Sequence, residues 1–330
     1  MLKFFKHNYI TQLIAIMLLV AALWIPVFVS HVSEVATGSP ITPLYNLVKN
    51  IFASSSLALT IFTFVVFGVS VLFFNSMLSV NQLVTRNSSI GAFVFVLCMC
   101  CVPIEDEFYP FLLAMPLIMM VLQTVYLIYQ VEKPEPYLMN SGFFIAMASM
   151  FYFPAILLIA WVLIAMVIMD FRQLKHFLIP ILGLVFPYFI LFVIFYFNHS
   201  LVENINDYAL SFRELGFEGL GMSTLELIVV ALVFVFTVLS LLVIKSENAD
   251  NSIATRKKVA VTLWLLAFGF LMLFIQKPVI YNGLIFMVVA VLISMALCYV
   301  EKTKIIDIVI VVLMLTIIVN QYLPLFGINL

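Results

Sequence analysis

Long stretches without charge alternate with short polar segments along this chain, and this pattern sets its predicted architecture. One such stretch, residues 136–169, contains no Asp, Glu, Lys or Arg. Comparable charge-free stretches recur at 8–33, 50–85, 87–104, 108–131, 176–202, 227–244, 259–276, 278–300 and 308–330. A helix needs about 20 apolar residues to cross a hydrocarbon core ~30 Å thick. The pattern therefore predicts a chain that crosses a membrane many times.

Helices rather than strands are the expected spanning elements. The apolar segments are long and continuous, whereas strands of a membrane barrel alternate apolar and polar residues over about ten positions. Lipid offers no water to stray backbone amides, so each segment must satisfy its own hydrogen bonds. With 65% hydrophobic and 9% charged residues, the chain leaves no room for a soluble domain. We predict one all-α integral-membrane domain over residues 1–330.

The apolar segment Ser141–Met169 fits two interpretations. It forms either one overlong tilted helix or two short helices that turn at Tyr152-Phe153-Pro154. Proline removes a backbone donor and disfavours helical geometry at the residue before it, so a break there is physically reasonable. Splitting the segment reverses the orientation of everything that follows.

The distribution of basic residues decides between these interpretations, because cytoplasmic loops carry an excess of Lys and Arg. With the split, the chain has eleven crossings, a cytoplasmic N-terminus and an exterior C-terminus. Twelve basic residues then lie inside and three outside, namely Lys49, Arg213 and Lys277. Without the split, six lie inside and nine outside. We therefore predict a bundle of about eleven transmembrane helices, with short paired helices at 140–169.

Several of the predicted crossings are short. The eleven crossings are expected at 10–29, 51–74, 89–104, 108–130, 140–152, 154–169, 177–197, 223–244, 259–276, 279–300 and 305–324. The third, fifth and sixth of them fall below the ~17-residue lower limit for a spanning helix. We expect these three to sit within the bundle or to thin the bilayer.

Charge and cysteine usage exclude several kinds of partner. The net charge of −1 gives no attraction to nucleic acid. The four cysteines, Cys98, Cys100, Cys101 and Cys298, all fall in apolar segments, where a thiol behaves as a small apolar side chain. The sequence therefore predicts no metal site and no cofactor.

Neutral polar residues occupy the deep positions of the predicted crossings. They include Gln123, Tyr126, Asn282, Asn320 and Gln321. Hydrogen bonding between helices is their expected role. No ionisable group is predicted at mid-membrane, where a proton- or ion-coupled transporter retains such groups. The pattern therefore argues against coupled transport.

Three predicted exterior loops hold the candidate chemistry. The first, His31–Asn50, contains Glu34, which is the candidate catalytic base. The second is Glu105-Asp106-Glu107, which we expect to be a solvated turn, because three consecutive residues cannot all point at one ion. The third, His199–Met222, has the apolar spacing of an amphipathic helix on the outer interface. It contains Arg213, whose guanidinium fork suits a phosphate or diphosphate.

Three motifs resemble an uncharacterised family of multi-pass inner-membrane proteins from Bacteroidota. They are Asn81-Gln82-Leu83-Val84-Thr85-Arg86-Asn87-Ser88-Ser89, the stretch from Asn140-Ser141-Gly142 to Tyr152-Phe153-Pro154, and Leu182-Gly183 with Pro187-Tyr188. The resemblance covers roughly residues 75–190. It implies a location in the bacterial inner membrane and a role in the cell envelope, with no activity to carry over.

The pattern from Gly142 to Pro154 also resembles the middle of integral-membrane glycosyltransferases that use polyprenyl-phosphate sugars. The resemblance implies an acidic catalytic residue in the first exterior loop, which here maps onto Glu34. That loop is about 20 residues long, shorter than in those enzymes, and it lacks their usual aspartate. The departure favours a role without catalysis.

Three functions therefore remain open. A non-catalytic membrane subunit or assembly factor of the envelope is the leading prediction. The alternative is a transferase of polyprenyl-phosphate-linked saccharides, with Glu34 as base and Arg213 on the diphosphate. An uncoupled lipid transporter or flippase is the second alternative. The expected partners are membrane lipids, among them a polyprenyl phosphate, and another membrane protein.

Overall fold

The protein is described by a computed structural model that is helical throughout its described regular structure. The described residues are 2–6, 9–30, 42–52, 55–85, 88–104, 108–129, 131–171, 173–197, 223–247, 252–273, 283–300 and 304–323. They form thirteen α-helices and a 3-10 helix, Phe153–Leu157. In chain order the α-helices are α1 Leu2–Lys6, α2 Tyr9–Ser30, α3 Pro43–Ile51, α4 Ser56–Val80, α5 Ile90–Met99, α6 Tyr109–Ile128, α7 Glu135–Ser149, α8 Leu158–Ile168, α9 Leu174–Phe197, α10 Thr224–Glu247, α11 Ile253–Leu273, α12 Gly283–Tyr299 and α13 Lys304–Tyr322.

Five of these helices are long and apolar enough to cross a membrane. They are α2, α4, α6, α9 and α10. Shorter apolar helices accompany them, among them α5, α12 and most of α13. The predicted all-α membrane architecture is therefore confirmed for the described residues. The number of crossings and the sides of the two termini stay predictions.

Two of the shorter apolar helices, α5 and α12, are buried inside the described bundle. Every residue of α5 is buried, and α12 is buried from Gly283 to Leu297 except for Ile285, which is half-buried. The two helices pack against each other, and α12 also contacts α10 and α11. A helix without an exposed face needs no lipid contact along its length. The helix in the short third predicted segment, α5, therefore lies within the described bundle, which was one of the two expectations for it.

The long apolar segment is broken, as its proline predicts. Helix α7 ends at Ser149, and Tyr152 has an extended backbone with φ −134° and ψ 97°. The break begins before Pro154, which itself lies in the first turn of the 3-10 helix. Proline is tolerated there because the first N–H groups of a helix have no intrahelical acceptor.

The two helices on either side of this break have different neighbours. Helix α7 packs mainly on α6 and α9, whereas α8 packs mainly on α11. The predicted break is therefore present, and the two short helices contact each other over a small area, because each covers most of its apolar surface with other helices. Glu135 at the start of α7 lies 3.8 Å from His176 at the start of α9. Asp170, just after α8, contacts Lys257 of α11.

The first predicted exterior loop contains a helix that we did not predict from the sequence. Helix α3 begins at Pro43, a residue favoured in the first helical turn. Its apolar residues Leu44, Leu47, Val48 and Ile51 recur at helical spacing. The amphipathic helix predicted in the loop 199–222 lies outside the described residues.

Candidate functional site

Helix α3 is held at the break that follows α7 by two hydrogen bonds, and we call this contact the break junction. The Leu44 N–H donates to the Met150 carbonyl over 3.1 Å, and Thr42 Oγ1 donates to the Phe151 carbonyl over 2.9 Å. The end of a helix leaves carbonyls without intrahelical donors, and the start of a helix leaves N–H groups without acceptors. The start of α3 and the end of α7 satisfy each other in this way.

Aromatic residues pack against one side of the break junction. The Tyr152 ring meets Phe111 edge to face, with centroids 5.3 Å apart, and Phe111 stacks on Phe108 at 5.5 Å. Gly283 at the start of α12 lies directly against these rings, because a Cβ on it would come within 2.2 Å of Phe111. The junction is therefore bounded by closely packed rings on one side.

The residues predicted to carry chemistry lie outside the described part of the chain. This holds for Glu34, for Arg213 and for Glu105-Asp106-Glu107. Their predicted roles stay predictions. The structure does bring the described end of the first predicted exterior loop, from Thr42 onward, to the break. From the sequence we favour, as the location of a site, the region where the short helices at 140–169 face the predicted exterior loops, and the break junction is one contact of this kind.

Two glycines set the crossing of α7 and α9. A Cβ on Gly142 would lie 1.9 Å from the Pro180 carbonyl oxygen, and one on Gly183 would lie 2.2 Å from the Met139 carbonyl oxygen. Small residues permit such close backbone approach between membrane helices. Farther along the crossing, the Ser149 and Tyr188 hydroxyls hydrogen-bond over 2.7 Å.

Most of the surface of α9 is left uncovered by the described helices. Its buried residues form one stripe, namely His176, Pro180, Gly183 and Pro187. Only 17% of its most apolar stretch is buried, compared with 72% for α6. Large apolar side chains such as Phe186, Phe189 and Phe192 are exposed on the remaining face. Helix α9 is therefore the most peripheral of the five long apolar helices.

At the other end of the bundle, α4 closes with a turn that contains a residue of positive φ. The Leu83 N–H donates to the Leu78 carbonyl over 3.0 Å, and the Gln82 N–H donates to the Ser79 carbonyl over 3.1 Å. These bonds define a Schellman motif, whose left-handed position is usually glycine. Here that position is Gln82, with φ 58°.

A buried lysine caps this end of α4. Lys258 is only 2% exposed, and its Nζ donates to the backbone carbonyl of Asn81 over 3.0 Å and to Asn81 Oδ1 over 3.3 Å. The Asn81 side chain in turn donates to the Met77 carbonyl over 2.8 Å. A cation at a helix C-terminus is stabilised by the carbonyls and by the helix dipole.

The neighbouring lysine, Lys257, binds the side chain of the residue that follows α8. Asp170 has φ 69° and follows α8 in a second Schellman motif, in which the Phe171 N–H donates to the Met166 carbonyl over 2.9 Å. Lys257 Nζ donates to the Asp170 carboxylate and lies 4.6 Å from the Tyr129 ring centroid. The start of α11 therefore binds the ends of α4, α6 and α8. We call this end, which holds Lys6, Lys257 and Lys258, the basic end.

A polar cavity of about 540 Å³ opens at the basic end, between the turn after α4 and the end of α12. Its polar lining includes Ser79, Gln82, Thr85, Cys298 and Tyr299. Thr85 hydrogen-bonds the Cys298 thiol, and the Lys6 ammonium lies close enough to act on that thiol electrostatically. Lys6 Nζ donates to the Val300 carbonyl over 3.1 Å.

Three of the five deep polar residues named from the sequence hydrogen-bond to other parts of the bundle, as predicted, and Asn282 lies outside the described residues. The hydroxyls of Tyr126 in α6 and Thr262 in α11 are 2.6 Å apart. Asn320 donates to the Cys101 carbonyl over 3.2 Å, and Gln321 donates to the carbonyls of Cys100 and Val102 over 3.0 and 2.8 Å. Helix α13 thus supplies hydrogen-bond donors to the buried carbonyls that follow α5.

Comparison with protein-family models, with curated proteins and with solved structures finds no match for this chain. The resemblances drawn from its motifs therefore stay predictions. Any role for the chain must be argued from its own residues.

Two residues of the basic end were not recognised from the sequence as parts of a site. We counted Lys258 only as one of the twelve basic residues on the predicted cytoplasmic side, and the structure buries it against Asn81. We predicted Cys298 as an apolar membrane residue, but it lines the polar cavity. The run Arg256-Lys257-Lys258 just before the apolar stretch 259–276 was the available signal for the first. Within the described residues, no group of three or more His, Cys, Asp and Glu is placed to hold a metal ion.

Proposed function

We propose that this chain is a polytopic protein of the bacterial inner membrane that serves the cell envelope as a non-catalytic subunit or assembly factor. The observation that carries the proposal is the position of α9. This 24-residue helix contacts the rest of the described bundle through one narrow stripe and presents aromatic residues elsewhere. A helix held in this way can contact a second membrane protein without disturbing the core.

The glycine crossing supports the same role. Because Gly142 and Gly183 bring α7 and α9 into backbone contact, α9 is fixed firmly although little of it is covered. A rigid helix with an open apolar face loses little conformational freedom when a partner helix packs on it. Association between membrane helices depends on such packing, because lipid tails are as apolar as the helices themselves.

Site-specific photo-crosslinking in the native host tests this proposal. A photoreactive amino acid replaces Phe189 or Phe192 on α9, and matched controls replace Val65 or Val69 on the exposed face of α4. We expect one protein adduct from the α9 positions and none from the α4 positions. We also expect the same protein to co-purify in a fixed ratio in mild detergent. A monodisperse monomer that gives only lipid adducts at all four positions would contradict the proposal.

A second candidate function is transfer of a saccharide from a polyprenyl phosphate. The break junction favours it, because α3 ties the first predicted exterior loop to the break after α7. In this scheme Glu34 acts as the base and Arg213 binds the diphosphate. Glu34→Ala and Arg213→Ala test the scheme by their effect on envelope glycan. Unchanged glycan in both variants, at normal protein levels, would exclude it.

We further propose eleven crossings, with the basic end in the cytoplasm and the C-terminus outside. Contacts between helix ends support this arrangement. Lys6 reaches Val300, Lys257 reaches Asp170, and Lys258 reaches Asn81, so these basic residues gather at one end. Lys49 in α3 lies near the break junction, at the opposite end. Most basic residues then lie at the end that we propose to be cytoplasmic, as the positive-inside rule requires.

A further inference from the structure

We propose that the bundle binds one anionic phospholipid, with its phosphate headgroup in the polar cavity at the basic end and an acyl chain in a groove between α2 and α4. This site is separate from the α9 face and does not rest on the function proposed above. The inference rests on two cavities that follow each other along α4. One has polar groups in its lining, and the other is lined by apolar side chains.

The headgroup end of the site is the polar cavity. Its volume is about 540 Å³, and its lining offers hydroxyl, amide and thiol groups to a headgroup beside the apolar side chains of Val80, Leu83 and Val84. Gln82 adopts its positive φ at the mouth of this cavity, where it is exposed. A non-glycine residue in the left-handed region costs about 1 kcal/mol or more, and such strain concentrates at ligand sites.

The acyl end is an apolar groove of about 420 Å³. Four residues of α2 line it, namely Leu13, Ile14, Met17 and Leu18, together with Leu72 of α4. Leu72 and Ser79 are seven residues apart and so lie on the same face of α4, about 10 Å apart along its axis. Ser79 lines the polar cavity. Exposed Ser76 lies between them, so one face of α4 joins the groove to the cavity.

The dimensions fit a lipid in one leaflet. Half of a ~30 Å hydrocarbon core is about 15 Å deep, which is close to the span from the cavity through the groove. A free anion would use the cavity and leave the groove empty. The combination of a polar pocket and an apolar groove therefore points to an amphipathic ligand.

Charge favours an anionic headgroup over a zwitterionic one. Lys6 lies at the rim of the cavity, next to Cys298. The described residues that line the cavity carry no charge of their own, so Lys6 supplies the positive charge beside it. Each basic residue near the membrane surface strengthens binding of anionic lipid by roughly fivefold.

Cys298 supplies a native reporter of occupancy. It is half-buried and lines the cavity, whereas Cys98, Cys100 and Cys101 are fully buried. A maleimide should therefore label the folded, delipidated full-length protein once and the denatured protein four times. We expect dioleoyl phosphatidylglycerol in mixed micelles to slow labelling of Cys298 at least fivefold. Dioleoyl phosphatidylcholine and inorganic phosphate should have little effect.

Matched variants separate the two ends of the site. We expect Lys6→Gln to weaken protection by phosphatidylglycerol about fivefold, whereas Lys49→Gln at the opposite end should leave it unchanged. Leu72→Trp fills the groove and should weaken protection, whereas Ile61→Trp, also exposed on α4 but outside the groove, should not. A single label per folded chain confirms that each variant is folded.

Three results would overturn the proposal. Equal protection by the two phospholipids would remove the charge preference, and protection by inorganic phosphate would point to a free anion. Equal effects of Leu72→Trp and Ile61→Trp would show that no acyl chain lies in the groove. Retention of phosphatidylglycerol in native mass spectra gives an independent measure that does not depend on the thiol. Equal retention of both phospholipids by the wild-type chain would also contradict the site.

Discussion

Gly142 of α7 lies so close to Pro180 of α9 that a Cβ on Gly142 would approach the Pro180 carbonyl oxygen to 1.9 Å. Gly183 repeats the relationship against Met139, at 2.2 Å. In both cases the nearest atoms are backbone, which cannot rotate away as a flexible side chain could. The distance between the two helices is therefore fixed by the absence of two methyl groups.

Alanine at either glycine should push α7 and α9 apart. We expect Gly142→Ala and Gly183→Ala each to lower the free energy of unfolding by about 1–3 kcal/mol, the usual cost of overpacking. Gly68→Ala in α4 is the matched control, because no atom lies within 4 Å of its added Cβ. It should be neutral or stabilising by about 0.5–1 kcal/mol. Unfolding in mixed detergent micelles measures all three, and an equal loss in all three would contradict this view of the crossing.

Replacing Lys258 should damage the basic end more than replacing Lys257. Lys258→Met leaves the Asn81 carbonyl and Oδ1 buried without their donor, at an expected cost of about 1–3 kcal/mol. Lys257 pairs with an exposed Asp170, so Lys257→Met should cost less than about 1 kcal/mol. The same unfolding assay compares the two. A larger loss for Lys257→Met would show that the buried cap is not the stabilising contact.

The fold class followed from the sequence because charge-free stretches are a direct consequence of contact with lipid. The break near Pro154 followed from the chemistry of proline. The packing partners did not follow, because the membrane-spanning stretches are almost uniformly apolar and carry little information about which face meets which helix. The crossing of α7 and α9 depends on single glycines, and the sequence does not show which residues these glycines contact in the folded chain.

The amide side chains of α13 should stabilise the end of α5. We expect Asn320→Leu and Gln321→Leu each to lower the free energy of unfolding by about 0.5–1.5 kcal/mol, the range for hydrogen bonds between membrane helices. Thr316→Val serves as the control, because the Thr316 hydroxyl bonds only to the Leu313 carbonyl of its own helix. If Thr316→Val costs as much as the amide substitutions, the contact between helices is not the source of the effect.

The hydroxyl of Thr42 should hold α3 at the break junction. Thr42→Val removes the donor to the Phe151 carbonyl and should cost about 1 kcal/mol. It should also speed proteolysis between α2 and α4. Thr63→Val is the control, because Thr63 bonds to the Leu59 carbonyl within α4. Equal protease sensitivity of Thr42→Val and wild type would mean that the Thr42 hydrogen bond does not anchor α3.

The candidate sites were only partly predictable for a related reason. The sequence led to the region where the short helices at 140–169 face the predicted exterior loops, because that segment holds both the break and the motif from Gly142 to Pro154. The polar cavity was missed, since Cys298 and Ser79 lie at the ends of apolar runs and look like membrane residues. Only the folded chain, in which α4 and α12 both pack against α5, places their polar atoms around one space.

The reversal of the chain between α7 and α8 is the central claim of this account, because it sets the side of every later loop. Glu132 and Gln173 flank the reversed segment, and both are exposed. Single cysteines at these positions, in a chain carrying Cys298→Ser, are labelled with a membrane-impermeant maleimide in intact cells and in inside-out vesicles. We predict that both positions react only in inside-out vesicles. Labelling of the two positions from opposite sides would contradict the reversal and the eleven-crossing arrangement.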